Sequence, residues 1–286
     1  MRALGAGRTV LSLALVAGVA GGVSALRARL NRRYGAARRI LDVAQIPRPL
    51  AARVASLGHT EWATDVLWIN ALIYYGQSLY ANLPARYIRQ YADTMIELDP
   101  RFKRAYPWAA TALLYRTVRS TEDDARRAGD YLRQGLAQFP NDPALHHAYG
   151  LNLAFDQAPY KRHGSPEWVA LKVEGGQHLA RAAFGLSATT ERSPWLPLTA
   201  AGLLMIGRRE REAILTLCDG LVYTDDPDAL AAIEGRLGEL LRERTTDDPR
   251  YRASFELMQR RRQHYPWMVP SLHVFVGDPV LSPSRR

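Results

Sequence analysis

Apolar residues recur at three- and four-residue spacing along most of the chain from Thr60 onward, the period of an amphipathic helix rather than of a strand. The runs TEWATDVLWINALIYYGQSLY (60–80), ARYIRQYADTMIEL (85–98) and PDALAAIEGRLGELLRER (227–244) follow this pattern, and the breaks between such runs fall at Pro, Gly, Asn and Asp. No alternating stretch long enough for a paired sheet precedes the C-terminal SLHVFVG, so the spacing predicts an all-α body. The run IELDPRFKRAYPWAA (96–110) shows the rhythm. Asp99-Pro100 ends one helix, because Pro lacks an amide hydrogen and pushes the preceding residue out of helical geometry. Phe102, Tyr106 and Trp108 then restart the apolar pattern at once.

Similar positions recur in pairs of helices. In AGDYLRQGLAQFPNDPAL (128–145) and AILTLCDGLVYTDDPDAL (213–230), Ala128 matches Ala213, Leu132 matches Leu217 and Gly135 matches Gly220, and each segment runs through Asp-Pro into the next helix. Gly76, Ala110, Gly150 and Ala201 stand midway along first helices, where a small side chain lets a partner helix lie close.

At 286 residues and 47% hydrophobic, the chain can bury a sizeable core. Its 38 Lys+Arg against 28 Asp+Glu looks like a nucleic-acid binder's balance. Eight of those Arg precede the first acidic residue, Asp42, and without them the balance is 30 against 28. A phosphate-binding footprint belongs on the folded body, so nucleic acid is excluded as the partner.

The early Arg instead flank VLSLALVAGVAGGVSAL (Val10–Leu26), seventeen residues without a charge. That length just spans a bilayer, and the basic run Arg27–Arg39 prefers the cytoplasmic side. Val23-Ser24-Ala25 also fits a signal-peptide cleavage site, so an uncleaved anchor, a cleaved signal and a surface helix all stand, with the anchor favoured. The expected organisation is residues 1–39 anchor with basic flank, 40–59 connector, 60–244 helical repeats, and 245–286 a helix followed by a Pro-rich segment. Trp267, Met268, Leu272 and Phe275 would either cap the last repeat or dock on a partner.

Nothing in the spacing nominates a catalyst, a metal ligand or a cofactor. His146-His147 point about 100° apart on a helix and cannot grip one metal as an i, i+4 pair could. His59, His163, His178, His264 and His273 are scattered. Gly175-Gly176 sits in a helical pattern without the strand that a phosphate loop requires. Asp123-Asp124, Asp225-Asp226 and Asp247-Asp248 precede helices, where carboxylates cap amides. The lone Cys218 lies on an apolar face as a small core residue.

Carried by Gly76, Asp99-Pro100, Tyr106, Ala110, Ala128, Pro140, Tyr149-Gly150, Ala213, Leu217 and Gly220, the stretch Trp68–Asp228 resembles the tetratricopeptide repeat family. The segment ASLGHTEWATDVLWINALIYYG (55–76), followed by LDPRF, is similar to membrane-linked members from Gram-negative bacteria. The resemblance implies a right-handed solenoid of stacked helix-turn-helix pairs, with Ile88 where the family has Ala, and with longer spacings at Pro140 and in DQAPYKRHGSPE (156–167). It also implies a groove formed by Asn70, Ile73, Gln77, Tyr80, Arg104, Thr111, Leu114, Tyr115, His147, Leu151 and Phe155. With only three Lys in the chain, a carboxylate clamp is not expected, and the groove suits an apolar or amphipathic segment of another protein. The competing reading is that Tyr80, Tyr115 and Phe155 pack against neighbouring helices or a chain terminus. The expected function is a non-enzymatic, membrane-anchored scaffold at the bacterial inner membrane. An accessory subunit of a membrane enzyme complex is the alternative, and an anchored hydrolase stands third.

Overall fold

The computed structural model describes residues 46–81, 83–116, 119–185, 193–224 and 226–242, together with Gly18, 21–26, 28 and 29. The described part is all-α. Its contacts divide the chain into residues 1–46 and 47–286.

In the first unit, the described residues 18, 21–26, 28 and 29 are helical and exposed. Most of Val10–Leu26 lies outside them, and no described helix is long and apolar enough to cross a membrane. SLHVFVG, Asp247-Asp248 and the segment from Tyr265 to Arg286 also lie outside the described residues.

The second unit is a succession of helices. These are α1 (Pro49–Ala55), α2 (Thr60–Tyr80), α3 (Ile88–Leu98), α4 (Ala105–Leu114), α5 (Glu122–Gln138), α6 (Pro143–Leu151), α7 (Pro166–Gly185), α8 (Leu196–Ile206), α9 (Glu210–Tyr223) and α10 (Pro227–Arg242). The segment 40–59, expected as a connector, thus contains a short helix, begun by Pro49 whose fixed φ suits a first turn. A π-helical turn, Asn152–Gln157, and a 3-10 turn, Ala158–Tyr160, extend α6. The stretch expected as a loop from Asp156 is therefore mostly coiled.

The Asp-Pro dipeptides work in two ways. Asp99 is extended at the end of α3, and its Oδ1 accepts from the Arg101 amide at 2.9 Å, while the Tyr106 hydroxyl donates to Pro100 O at 2.7 Å. Asp142 and Asp226 instead begin helices. The Asp142 carboxylate accepts from the Leu145 amide at 2.9 Å and Asp226 from the Ala229 amide at 2.8 Å, each with Pro in the first helical position. At α5 the cap is Thr121, with Asp124 completing a reciprocal capping box.

From α2 onward the helices pack chiefly on their neighbours in sequence, while α1 also packs on α3, and the core is a series of clusters. Ile88, Ala92, Ala109, Leu113 and Tyr131 form one; Tyr106, Ala128, Leu132, Leu145, Tyr149 and Leu153 the next. Ala154, Leu179, Ala182, Leu196 and Leu203 form a third, and Leu204, Ala213, Leu217, Ile233 and Leu237 belong to the last. Cys218 is buried in that last cluster.

Close approach at glycine sets the spacing of the middle helices. A Cβ on Gly150 would lie 2.8 Å from Gly175 O and from the Leu179 side chain. One on Gly176 would lie 3.0 Å from the Leu203 Cβ and 3.1 Å from Ala200 O. The two central glycines of α7 therefore admit α6 on one side and α8 on the other, which gives Gly175-Gly176 a packing role inside a helix. Gly135 and Gly220, matched in the sequence, are matched in contacts: one receives the Tyr106 ring and Leu145, the other Pro197 and Ile233. Gly76 departs from expectation. It is exposed, with nothing within 4 Å of a Cβ, because the close neighbours of α2 lie on its other side.

Candidate protein-binding surface

The eleven groove positions are spread over three first helices and their ends. Asn70, Ile73, Gln77 and Tyr80 lie on α2; Arg104 precedes α4, Thr111 and Leu114 lie within it, and Tyr115 ends it; His147 and Leu151 lie on α6, and Phe155 in the π-helical turn. None of the eleven is buried: Leu114 and His147 are half-buried and the other nine are exposed. Tyr80 is 96% exposed, Tyr115 65% and Phe155 47%, so these three rings are not core residues among the described helices. Three members are partly engaged already, and one of them, Leu114, packs against the cluster around Tyr106 and Leu132. The Asn70 amide donates to Val66 O at 2.9 Å in its own helix, and the Lys172 ammonium of α7 stands 4.9 Å from the centre of the Phe155 ring.

Helix α2 supplies more surface than the groove reading contained. Its buried face is made of Ala63, Thr64, Leu67, Ala71 and Ser78, and the two hydroxyls are satisfied within the helix by Thr60 O at 3.0 Å and Tyr74 O at 2.9 Å. On the edges, Trp68 meets Phe102 and Trp108 edge-on at 5.5 and 5.3 Å, and Tyr75 meets Trp108 at 6.3 Å. Most of the large apolar residues point the other way: Trp62, Val66, Ile69, Ile73 and Tyr80, at helical spacing, form an exposed stripe, with Leu72 and Leu79 beside it. Apart from Leu67, small residues inward and large ones outward reverse the usual order of a surface helix. Because α2 is apolar all round, periodicity alone does not say which face it buries.

Tertiary contacts also assemble groups that stand far apart in sequence. His146 on α6 and His178 on α7 lie with their Nδ1 atoms 2.7 Å apart, and His146 Nε2 is 2.9 Å from Pro140 O. Burial, then the neighbouring His146 and Arg181, push the His178 ring down to about 4. Burial also lowers His147. In the π-helical turn, the buried Asn152 amide donates to Ala125 O at 3.2 Å and receives Gln157 Nε2 at 2.7 Å, which ties the turn to α5. Burial raises the nearby Asp156 carboxyl despite a hydrogen bond from Asn152.

Other titratable groups keep to structural surroundings. Burial, then Asp219, pushes the Cys218 thiol up to about 11, the opposite of a nucleophile's activation, and burial raises Asp219 to about 6. Among the described residues no three His, Cys, Asp or Glu side chains converge as a metal site would require. Comparison of the chain with protein-family models, with curated proteins and with solved structures finds no match.

Proposed function

We propose that the chain is a scaffold attached to the bacterial inner membrane, whose helices form a tetratricopeptide-like solenoid and present an apolar surface to a segment of another protein. The observation that carries this reading is the reversed face of α2, together with the exposure of Tyr80, Tyr115 and Phe155. Apolar side chains of this size, set in a stripe over 62–80, favour contact with an apolar or amphipathic partner segment. The solenoid reading is supported by core clusters shared between successive helices and by the matched packing of Gly135 and Gly220. Membrane attachment rests on the uncharged run Val10–Leu26 and the following Arg27–Arg39, and the basic flank favours a cytoplasmic body.

The test is capture of bound proteins by the full-length chain from detergent-solubilised membranes, beside the double variant Tyr115→Ala, Phe155→Ala. Both rings are exposed, so each substitution should change stability by no more than about 0.5 kcal/mol while partner recovery falls at least tenfold. Undiminished recovery by a folded double variant overturns the groove. Removing residues 1–39 should move the protein from the membrane to the soluble fraction and leave partner recovery intact; persistence in the membrane pellet would contradict the anchor.

A further inference from the structure

The contact between α6 and α7 has an ionisable joint at its centre. His146 and His178, buried and half-buried, lie with ring centroids 4.9 Å apart, and Tyr149 closes against His178 edge-on at 4.8 Å. The hydrogen bonds fix which nitrogens carry protons. Pro140 O only accepts, so His146 Nε2 bears hydrogen and donates to it. In the neutral ring His146 Nδ1 is then a bare acceptor, and the 2.7 Å contact requires His178 Nδ1–H to be the donor.

We propose that this pair is an acid-sensitive latch, holding α6 against α7 while it carries a single bridging proton and releasing them when both rings are protonated. One added proton can go to His178 Nε2 without disturbing the bridge. A second has only His146 Nδ1 to occupy, and that atom is the acceptor of the bridge, so two Nδ1–H groups would face each other at 2.7 Å. The rings must part, and the helices they join must loosen with them.

The surroundings offer little to stabilise the charged forms. On α7, Arg181 opposes a charge on His178, and Glu174 acts on the Tyr149 ring. On α5, Arg133 and Asp130 also reach Tyr149, with opposite signs. On α6, burial lowers the His147 ring, which disfavours its charged form. Helix α8 carries no ionisable side chain, Glu212 of α9 is occupied by Gln177 and Arg209, and Asp156 of the π-helical turn bonds to Asn152.

The direction with pH follows. His178 titrates lower in the folded chain than in the unfolded one, so the unfolded chain binds more protons between the ordinary value near 6.5 and about 4. The pair's contribution is thus complete above about pH 6.5 and lost as pH falls toward 4. Since α6 also carries His147 and Leu151, release would loosen that part of the surface; this consequence rests on the groove reading, the latch itself does not.

The experiment is thermal unfolding of the full-length protein between pH 7.5 and 5.0, with His178→Phe as the variant that keeps the ring and removes its ionisation. The wild-type melting temperature should fall by about 2–4 °C more than that of the variant over this range. Parallel slopes for the two folded proteins overturn the latch. If His178→Phe does not fold, a 15N-histidine titration of the wild type decides: a His178 Nδ1–H bridge to His146 Nδ1 that survives the first protonation of the pair and is lost with the second supports the latch, and a bridge that is lost with the first or kept through both overturns it.

Discussion

Asp124→Ala should lower the stability of the full-length protein by about 3 kcal/mol, read as a shift of the urea midpoint at unchanged slope. The side chain is 1% exposed, and every contact it makes holds the start of α5 in place. Its carboxylate accepts from the Thr121 hydroxyl at 2.8 Å and the Thr121 amide at 3.2 Å, while Thr121 accepts from the Asp124 amide at 3.2 Å. It also faces Arg116 at 2.6 Å and Arg89 at 3.5 Å. Loss of a capping group costs about 1 kcal/mol, and loss of one partner from a buried pair about 3–5 kcal/mol. The figure belongs near the lower end, because Arg116 is a quarter exposed to water and Arg89 keeps Asp123 at 2.7 Å.

The pH dependence of the same site has the opposite origin from that of the histidine pair. Burial pushes the Asp124 carboxyl up, but Thr121 and then Arg116 outweigh it and hold the group below the usual carboxylate range. Its contribution is therefore present above the ordinary value near 4 and lost as pH falls through the folded value. Asp123→Ala is the control: its carboxylate meets Arg89, Arg126 and Arg127 in open solvent, so little stability should be lost. A variant at Asp124 as mild as one at Asp123 would show that the capping box and its arginines do not fasten α5 to its surroundings.

The bounds of α2 were legible, because Thr60–Tyr80 is one uninterrupted apolar pattern between turn residues. So was the common register of α5 and α9, since Ala128, Leu132 and Gly135 each have a counterpart at the same spacing, and the structure buries all six. The inward face of α2 was not. When both faces of a helix are apolar, the choice is made by the neighbours, and small residues win where α3 comes close. The continuation of α6 past Leu151 was hidden for a related reason: Asn152 favours turns locally, but here its amide finds Ala125 O, a partner 27 residues earlier. His146 and His178 are 32 residues apart with no helical spacing between them, and only the meeting of α6 with α7 makes them a pair. The groove positions were named through resemblance. Their exposure fits a binding surface, although no described hydrogen bond or ring contact joins Tyr80, Tyr115 and Phe155 to one another.

Two glycines that look alike in sequence should respond oppositely to alanine. Both Gly76 and Gly150 lie within helices, where glycine costs roughly 0.5–1 kcal/mol relative to alanine through backbone entropy. At Gly76 a methyl group meets nothing within 4 Å, so Gly76→Ala should recover that amount and raise stability. At Gly150 the methyl would stand 2.8 Å from Gly175 O and from two atoms of Leu179, a side chain with no exposed surface. The carbonyl belongs to a helical backbone and cannot turn aside, so α6 and α7 must separate. Overpacking of this kind costs about 1–3 kcal/mol, with the upper figure expected where backbone rather than a flexible side chain is struck. Gly150→Ala should therefore be destabilising by about 2 kcal/mol even after the gain in helix propensity. Because the same two helices share the His146–His178 contact, separation should also weaken that bond, and the His178 ring should titrate nearer its ordinary value in the variant. Urea unfolding gives the first quantity and the histidine titration the second. Equal midpoints for Gly150→Ala and wild type would mean that α6 and α7 do not approach as closely as their glycines allow.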